Sequence, residues 1–400
     1  MPAGSTGLSD PAARRPAGSR ILDVCGVGLY VFLVVCFCGR AYFRPGWNWD
    51  VVGYIGAALS LGRADATFIH AETYRAVRDA VPPARFEALV GSRSDYQHRM
   101  ADDHEEFSRE LPLYLARPLY VVPIRILAEM GLNPARATVA VSAFSSLVCS
   151  VILLVWIRRH WSGWMSSLLA GCLTVTSGTL ACASMSTPDT LSAAVLLISA
   201  FLMFERKAII WALVVADLSI LARTDNLPYA LALGFASAPT GHRPAWDRGR
   251  ILRLLAKGVA PVSVYLMVQG LSGHPGWLFM LRRTLDIGAG SESGAGLLAG
   301  YTRALEETIG FVPEAVRLAG FLLLGLLALA ATRSTRSQSP QAGMAIPVAC
   351  CAALARFVAL PVLWDRLLIG AYALVGVGAL ALMAPRDANP PRRARSPRPS

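Results

Sequence analysis

The chain has 400 residues, 54% of them hydrophobic and only 16% charged, with a mean hydropathy of +0.47. A soluble domain of this length needs more charge, and no alternating short segments mark a β-barrel, so the sequence reads as an all-α, polytopic transmembrane helical bundle. The formal net charge of +12 sits largely in short loops and tails, where it sets topology and meets membrane lipids, so nucleic acid is not expected as a partner.

In chain order, residues 1–20 are a polar, basic tail expected to be disordered and cytoplasmic. The apolar run 21–39 has no cleavage site and is long for a signal sequence, so it is read as an uncleaved first span. A first outer loop follows, about 40–136. Within it, 51–61 is expected to lie along the membrane interface, and 111–131 reads as an amphipathic interfacial helix. Further spans are predicted at 137–157, 164–184, 189–204, 207–222, 226–239 and 251–272. After a second outer loop, 273–315, come spans at 316–332, 343–363 and 367–384, about ten in all. The domain 21–384 ends in a basic tail, 385–400, also expected to be disordered and cytoplasmic. The eight cysteines all fall in apolar runs and read as small buried hydrophobes.

Basic residues assign the sides. Arg14, Arg15 and Arg20 precede the first span, and alternation then puts 158–161, 205–207, 241–250, 332–338 and 392–400 on the same cytoplasmic side. Both termini are therefore cytoplasmic. The turns 184–189, 222–226 and 363–366 fall outside, so Asp50, Asp189, Asp225, Asp365, Arg223, Arg366 and Arg356 gather at the outer ends of spans. Carboxylates and guanidiniums at one level can handle a hydroxyl and a phosphate together. The simpler readings are local: Asp189 opens a helix as its N-cap, and Asp225 pairs with Arg223. Arg282 and Arg283 lie outside against the positive-inside tendency, which points to an anionic lipid phosphate. Asp217 falls inside a span and is expected to hold a structural hydrogen bond. Within "ADDHEEF", Asp102, Asp103 and Glu106 could hold a divalent metal ion through oxygen; a solvated helix start is the plainer reading. The sequence contains no HExxH, GxSxG or P-loop.

The motif order "NWDVVGY" (48–54), "RPLY" (117–120), "STPDTLSAAVLLI" (186–198), "LARTDNLPY" (221–229) and "WDRLLIGAY" (364–372) resembles GT-C type integral-membrane glycosyltransferases. These include the protein mannosyltransferase and aminoarabinose transferase group, which use polyprenyl-phosphate sugars. The resemblance implies an inverting transfer on the extracytoplasmic face to a glycan, lipid or protein acceptor. It implies Asp50 as general base, with Asp102 or Asp103 as a second acid. Arg223, Arg282, Arg283, Arg356 and Arg366 are the candidates for the donor phosphate. Two other readings stand beside it: a transporter or flippase without chemistry, and a lipid-linked glycan polymerase or ligase, to which His274 in the second outer loop would belong.

Overall fold

The computed structural model describes residues 17–62, 65–90, 95–237, 248–274, 276–284, 294–333 and 340–384. The two tails lie almost wholly outside these residues, as do the basic stretch 241–247 and most of 332–338. Among the described residues the structure is helical, with no strand. The helices are α1 (Ala17–Phe43), α2 (Asp50–Ser60), α3 (Ala66–Ala80), α4 (Pro83–Val90), α5 (Asp95–Asp102), α6 (His104–Leu115) and α7 (Pro118–Glu129). They continue with α8 (Pro134–Ile157), α9 (Trp164–Thr176), α10 (Thr179–Cys182), α11 (Asp189–Phe204), α12 (Ile209–Ala222) and α13 (Leu227–Ala236). The last are α14 (Arg248–Ser272), α15 (Trp277–Thr284), α16 (Gly294–Gly310), α17 (Val312–Arg333), α18 (Pro340–Gly343), α19 (Ala345–Ala359) and α20 (Ile369–Met383).

Four helical stretches are long and apolar enough to cross a membrane: Arg20–Phe43, Pro134–Ile157, Val312–Ala330 and Asp365–Met383. This is an integral membrane protein by length and composition. The bundle is organised around α8, which packs against α1, α7, α9 and α11. It carries a run of small hydroxyl residues, Thr138, Ser142, Ser145, Ser146 and Ser150, all buried. Small side chains let the backbones approach, and the hydroxyls tie neighbouring elements together. Ser142 donates to the Thr187 carbonyl at 2.9 Å and Ser146 to the Thr179 carbonyl at 3.1 Å. Thr138 donates to Ser186 Oγ at 2.8 Å, so α8 holds the turn 184–189 in place.

Two expectations for residues 40–136 are corrected. Residues 51–61 do not lie along a headgroup surface. Val51, Val52 and Ile55 are fully buried, and α2 is enclosed by α3, α6, α7 and α8. Gly53 and Gly56 make this possible, since a Cβ at either would overlap the Tyr114 or Phe107 ring of α6. Residues 111–131 are not one helix. They break between α6 and α7 with a bend of 114°. The cause is Pro118, which drives the preceding residue out of the helical region. Arg117 accordingly takes φ −126° and ψ 58°.

Paired side chains define two ends of the bundle. At one end Arg158, after α8, donates to Asp23 of α1 at 2.8 and 3.0 Å. Trp161 donates to the Leu380 carbonyl of α20 at 2.9 Å, so the start of α1 and the end of α20 lie at this same end. Glu205, in the turn between α11 and α12, accepts there from Trp156 and from His160, each at 2.8 Å.

Candidate functional site

The opposite end gathers the residues that the sequence singles out. Asp50 opens α2, where its Oδ2 accepts from Asn48 Nδ2 at 2.9 Å and from Arg366 Nη1 at 2.6 Å. Asn48 in turn accepts from the Ser186 amide at 3.0 Å, and the Gly46 amide donates to the Ser184 carbonyl at 3.0 Å. The segment carrying Asp50 is thus stitched to the turn that precedes α11.

Asp189 is the first residue of α11, 3% exposed, but it is not the N-cap. Pro188 holds the cap position, and Asp189 accepts from Arg223 Nη1 instead. Arg223 follows α12 in an extended conformation, and its other edge grips Asp225 with Nε at 2.9 Å and Nη2 at 3.0 Å. Arg356 Nε then reaches Asp225 Oδ2 at 2.8 Å. The result is an alternating chain, Asp189–Arg223–Asp225–Arg356, in which two acids balance two bases. Burial alone would push Asp225 up, but the guanidiniums of Arg223 and Arg356 hold it well below the usual carboxylate range. The Asn226 amide secures the turn by donating to Ser192 Oγ at 2.8 Å and to the Ser219 carbonyl at 2.9 Å.

The chain is incompletely satisfied. Asp189 Oδ2 and both Nη atoms of Arg356 are buried without a hydrogen-bond partner. Each such group costs about 1–3 kcal/mol, and more when charged, a standing cost that a bound ion or polar ligand would relieve.

Beside this chain lies a cavity of about 260 Å³. Asp50, Asp189 and Glu110 supply carboxylates to its wall, and Arg117, Arg223 and Arg366 supply guanidiniums. Trp49, Tyr54, Tyr96, Tyr114 and Trp364 supply aromatic surface. Arg117 donates to the Tyr54 hydroxyl and stacks over the Tyr54 ring, 5.5 Å from its centroid. Residues of α15 and α16 dock at this end. Trp277, Tyr301 and Thr308 donate to the carbonyls of Ala359, Val358 and Pro361 at 3.0, 2.6 and 3.0 Å. The first two are carbonyls at the end of α19 that lack intrahelical partners, and the third lies two residues beyond it. That docking sets α15 beside the cavity, where Met280 joins the wall. His274 accepts from the Gly276 amide at 2.9 Å; burial and nearby Arg117 push it down to about 4.

Other sequence candidates fall elsewhere. Asp365 points away from the cavity, pairing with Arg317 at 2.8 Å and Tyr372 at 3.2 Å. Arg356 stands one residue behind the wall, at the far end of the ion chain. Arg282 lies on α15 off the cavity, with its Nε buried and unpartnered. The Arg283 side chain lies outside the described residues. Asp103 caps α6, accepting from the amides of Glu105 and Glu106 at 2.8 and 3.3 Å, and these donors hold its carboxyl below the ordinary value. Glu106 pairs with Arg109 at 2.7 Å, and Asp102 ends α5. No group of three or more metal-ligating side chains occurs among the described residues. The geometry of "ADDHEEF" is therefore that of a capped, solvated helix start. Asp217 is half-buried on α12 and has no hydrogen-bond partner among the described residues, so the structural bond expected of it is not formed.

Glu110 and Arg117 are the charged wall residues that the sequence reading left out of the site. Glu110 accepts from Tyr96 at 3.3 Å. Its signal was present but masked, for Glu110 and Tyr114 sit one turn apart on α6, behind the more conspicuous Glu105 and Glu106.

Fold and site together define a helical membrane protein with a charged, aromatic-lined cavity at one end. Comparison with known protein families, characterised proteins and solved structures gives no match. The geometry alone therefore carries the functional reading.

Proposed function

We propose that the chain is a membrane glycosyltransferase of the GT-C type. It moves one sugar from a polyprenyl-phosphate donor to an acceptor hydroxyl on the extracytoplasmic face. Asp50 takes the hydroxyl proton, the acceptor oxygen bonds to the anomeric carbon, and the carbon–oxygen bond to phosphate breaks with its electron pair leaving on the phosphate. A single displacement inverts the anomeric carbon. Arg366, which touches Asp50, and Arg223 lie where a leaving phosphate gains charge. Glu110 takes the place expected of Asp102 or Asp103 as the second acid. The observation that carries this reading is the juxtaposition of Asp50, Arg366, Arg223 and Glu110 around one cavity walled by aromatic rings, a surface suited to a sugar.

The reading includes about ten spans and both termini in the cytoplasm. The end bearing Arg158, Arg159, Arg206 and Lys207 is then the inner one. Short helices such as α9, α11, α12 and α19 complete their crossings through turns buried in protein, where backbone groups can be satisfied. Transport is the weaker reading, because the ion pairs of the described residues gather at the two ends of the bundle.

The test is transfer by purified protein in nanodiscs, supplied with a panel of polyprenyl-phosphate sugars and followed by release of polyprenyl phosphate. Release that depends on Asp50 supports the assignment. Equal release by wild type and Asp50→Asn, with both proteins folded, would remove it.

A further inference from the structure

A second concavity lies on the flank of the bundle, between α1 and α9. It has a volume of about 640 Å³ and is lined almost wholly by apolar side chains, among them Leu29, Leu33, Phe37, Leu168 and Val175. Its floor carries the hydroxyls of Tyr30, Ser167, Thr174 and Thr176; Ser167 Oγ is buried, and the other three are bonded to neighbouring groups. Tyr30 donates to the Ser150 carbonyl at 2.8 Å and meets Thr174 at 3.0 Å, and Thr174 donates to the Ala170 carbonyl at 2.7 Å. Thr176 donates to the Cys172 carbonyl at 2.9 Å. The surface presented to the bilayer is thus dry, and its rim is open, with Leu33 51% and Leu168 49% exposed.

We infer that this trough binds one hydrocarbon chain of an anionic phospholipid from the inner leaflet. Two observations favour this occupant. The first is length: the 11 residue steps from Gly26 to Phe37 make roughly 17 Å at the helical rise, close to half of the ~30 Å hydrocarbon core, the depth of one leaflet. The second is the charge at its end of the bundle. The trough begins one helical turn above the Asp23–Arg158 pair, at the end opposite the cavity. There Arg20, Arg158, Arg159, Arg206 and Lys207 outnumber Asp23 and Glu205, so a phosphate headgroup is favoured. The same placement argues against the tail of a donor whose phosphate sits at the cavity. The site does not depend on the glycosyltransferase reading.

Gly171 gives a clean way to fill the trough, because a Cβ there would meet only the Tyr30 ring, at 3.9 Å. The experiment uses the full chain in nanodiscs containing phosphatidylglycerol with a photoactivatable acyl chain, with labelled peptides mapped by mass spectrometry. Label should concentrate on 29–37 and 164–175, compared with Ile210 and Trp211, which are more exposed but lie on α12. In Gly171→Phe the trough label should fall to the level seen at Ile210. Leu168→Trp, which fills the trough from its rim, should do the same and serves if Gly171→Phe melts early. Replacing the probe by phosphatidylcholine should lower the trough label in wild type but not in the Arg158→Gln/Arg159→Gln double variant. Label spread evenly over all exposed apolar faces would overturn the proposal. So would stronger trough labelling by a polyprenyl-phosphate probe, or a Leu29→Cys disulfide between two copies that excludes the lipid label.

Discussion

The two ends of the bundle use the same side-chain types to different effect. At the Glu205 end, one carboxylate accepts from a tryptophan and a histidine, and Asp23 takes both donors of one arginine edge. Each of these acids has its partners at hand. At the Asp50 end, four charges alternate in a chain that stops short of satisfaction, leaving Asp189 Oδ2 and the Arg356 Nη atoms buried and bare. The first arrangement clamps helices. The second keeps polar capacity unspent beside a cavity, which is how a binding or reacting site differs from a fastening.

The largest test of that contrast is Asp50→Asn. The amide fits the same space and can still accept at the N-terminus of α2, so folding should survive. Losing a general base typically costs ~100–10,000-fold in rate, and transfer measured in nanodiscs should fall in that range with an unchanged melting temperature. Glu205→Gln, at the other end, should leave transfer unaltered while lowering the melting temperature. Reversal of these two outcomes would exchange the roles of the two ends.

Arg223→Met separates stability from chemistry within the cluster at the Asp50 end. It strands Asp189, which is buried, and leaves half-buried Asp225 with Arg356 alone. Removing one partner of a buried pair costs ~3–5 kcal/mol, so thermal unfolding should shift strongly. The double change Arg223→Met/Asp189→Leu should recover part of that loss, since it removes an acid along with its base. No recovery would mean that the chain is not one coupled unit.

Much of the Asp50 end was legible in the sequence, and the limits are physical. Loop charges assigned Asp50, Asp189, Asp225 and Arg366 to one end, because the sides of a span follow from where arginines fall. The Arg223–Asp225 pair followed from spacing alone. The second partner of Asp225 did not, since Arg356 is 131 residues away and only packing of α19 on α13 brings it in. The run 51–61 was misplaced because an apolar stretch of 11 residues looks the same at an interface and in a core. Its glycines were the available clue, as they admit the Tyr114 and Phe107 rings. Pro118 was visible too, but the break it makes at Arg117 decides which residues of 104–129 can face the cavity. With that break missed, Glu110 stayed among its solvated neighbours.

Acid should sharpen the comparison further. Burial opposes the charge on Glu205, yet the donors His160 and Trp156 and the nearby Arg159 hold its carboxyl below the ordinary 4.5. A depressed folded value contributes stability that is present above the unfolded value and lost as pH falls through the folded one. The Glu205 clamp should therefore hold at neutral pH and loosen below about pH 4.5. Melting temperatures of wild type and Glu205→Gln should then converge in acid. Curves that stay parallel down to the folded value would mean that Glu205 does not fasten this end.

The smallest expected effect lies one residue from the site. Asp365 and Arg366 are neighbours in one short turn, and the sequence grouped them together. The turn sends Arg366 to Asp50 and Asp365 outward, where its side chain is 65% exposed beside Arg317. An exposed pair of this kind is worth ~0–1 kcal/mol, so Asp365→Asn should shift unfolding by little and leave transfer unchanged. Arg366→Gln should remove the 2.6 Å contact with Asp50 and weaken donor use. The charge-assisted contact is worth ~1.5–3 kcal/mol, about tenfold or more in binding. The pair of variants is decisive because the substitutions are adjacent and each removes one charge. Any disturbance of the turn itself would appear in both. A loss of transfer in Asp365→Asn that matches Arg366→Gln would trace the effect to the turn and take Arg366 out of the site.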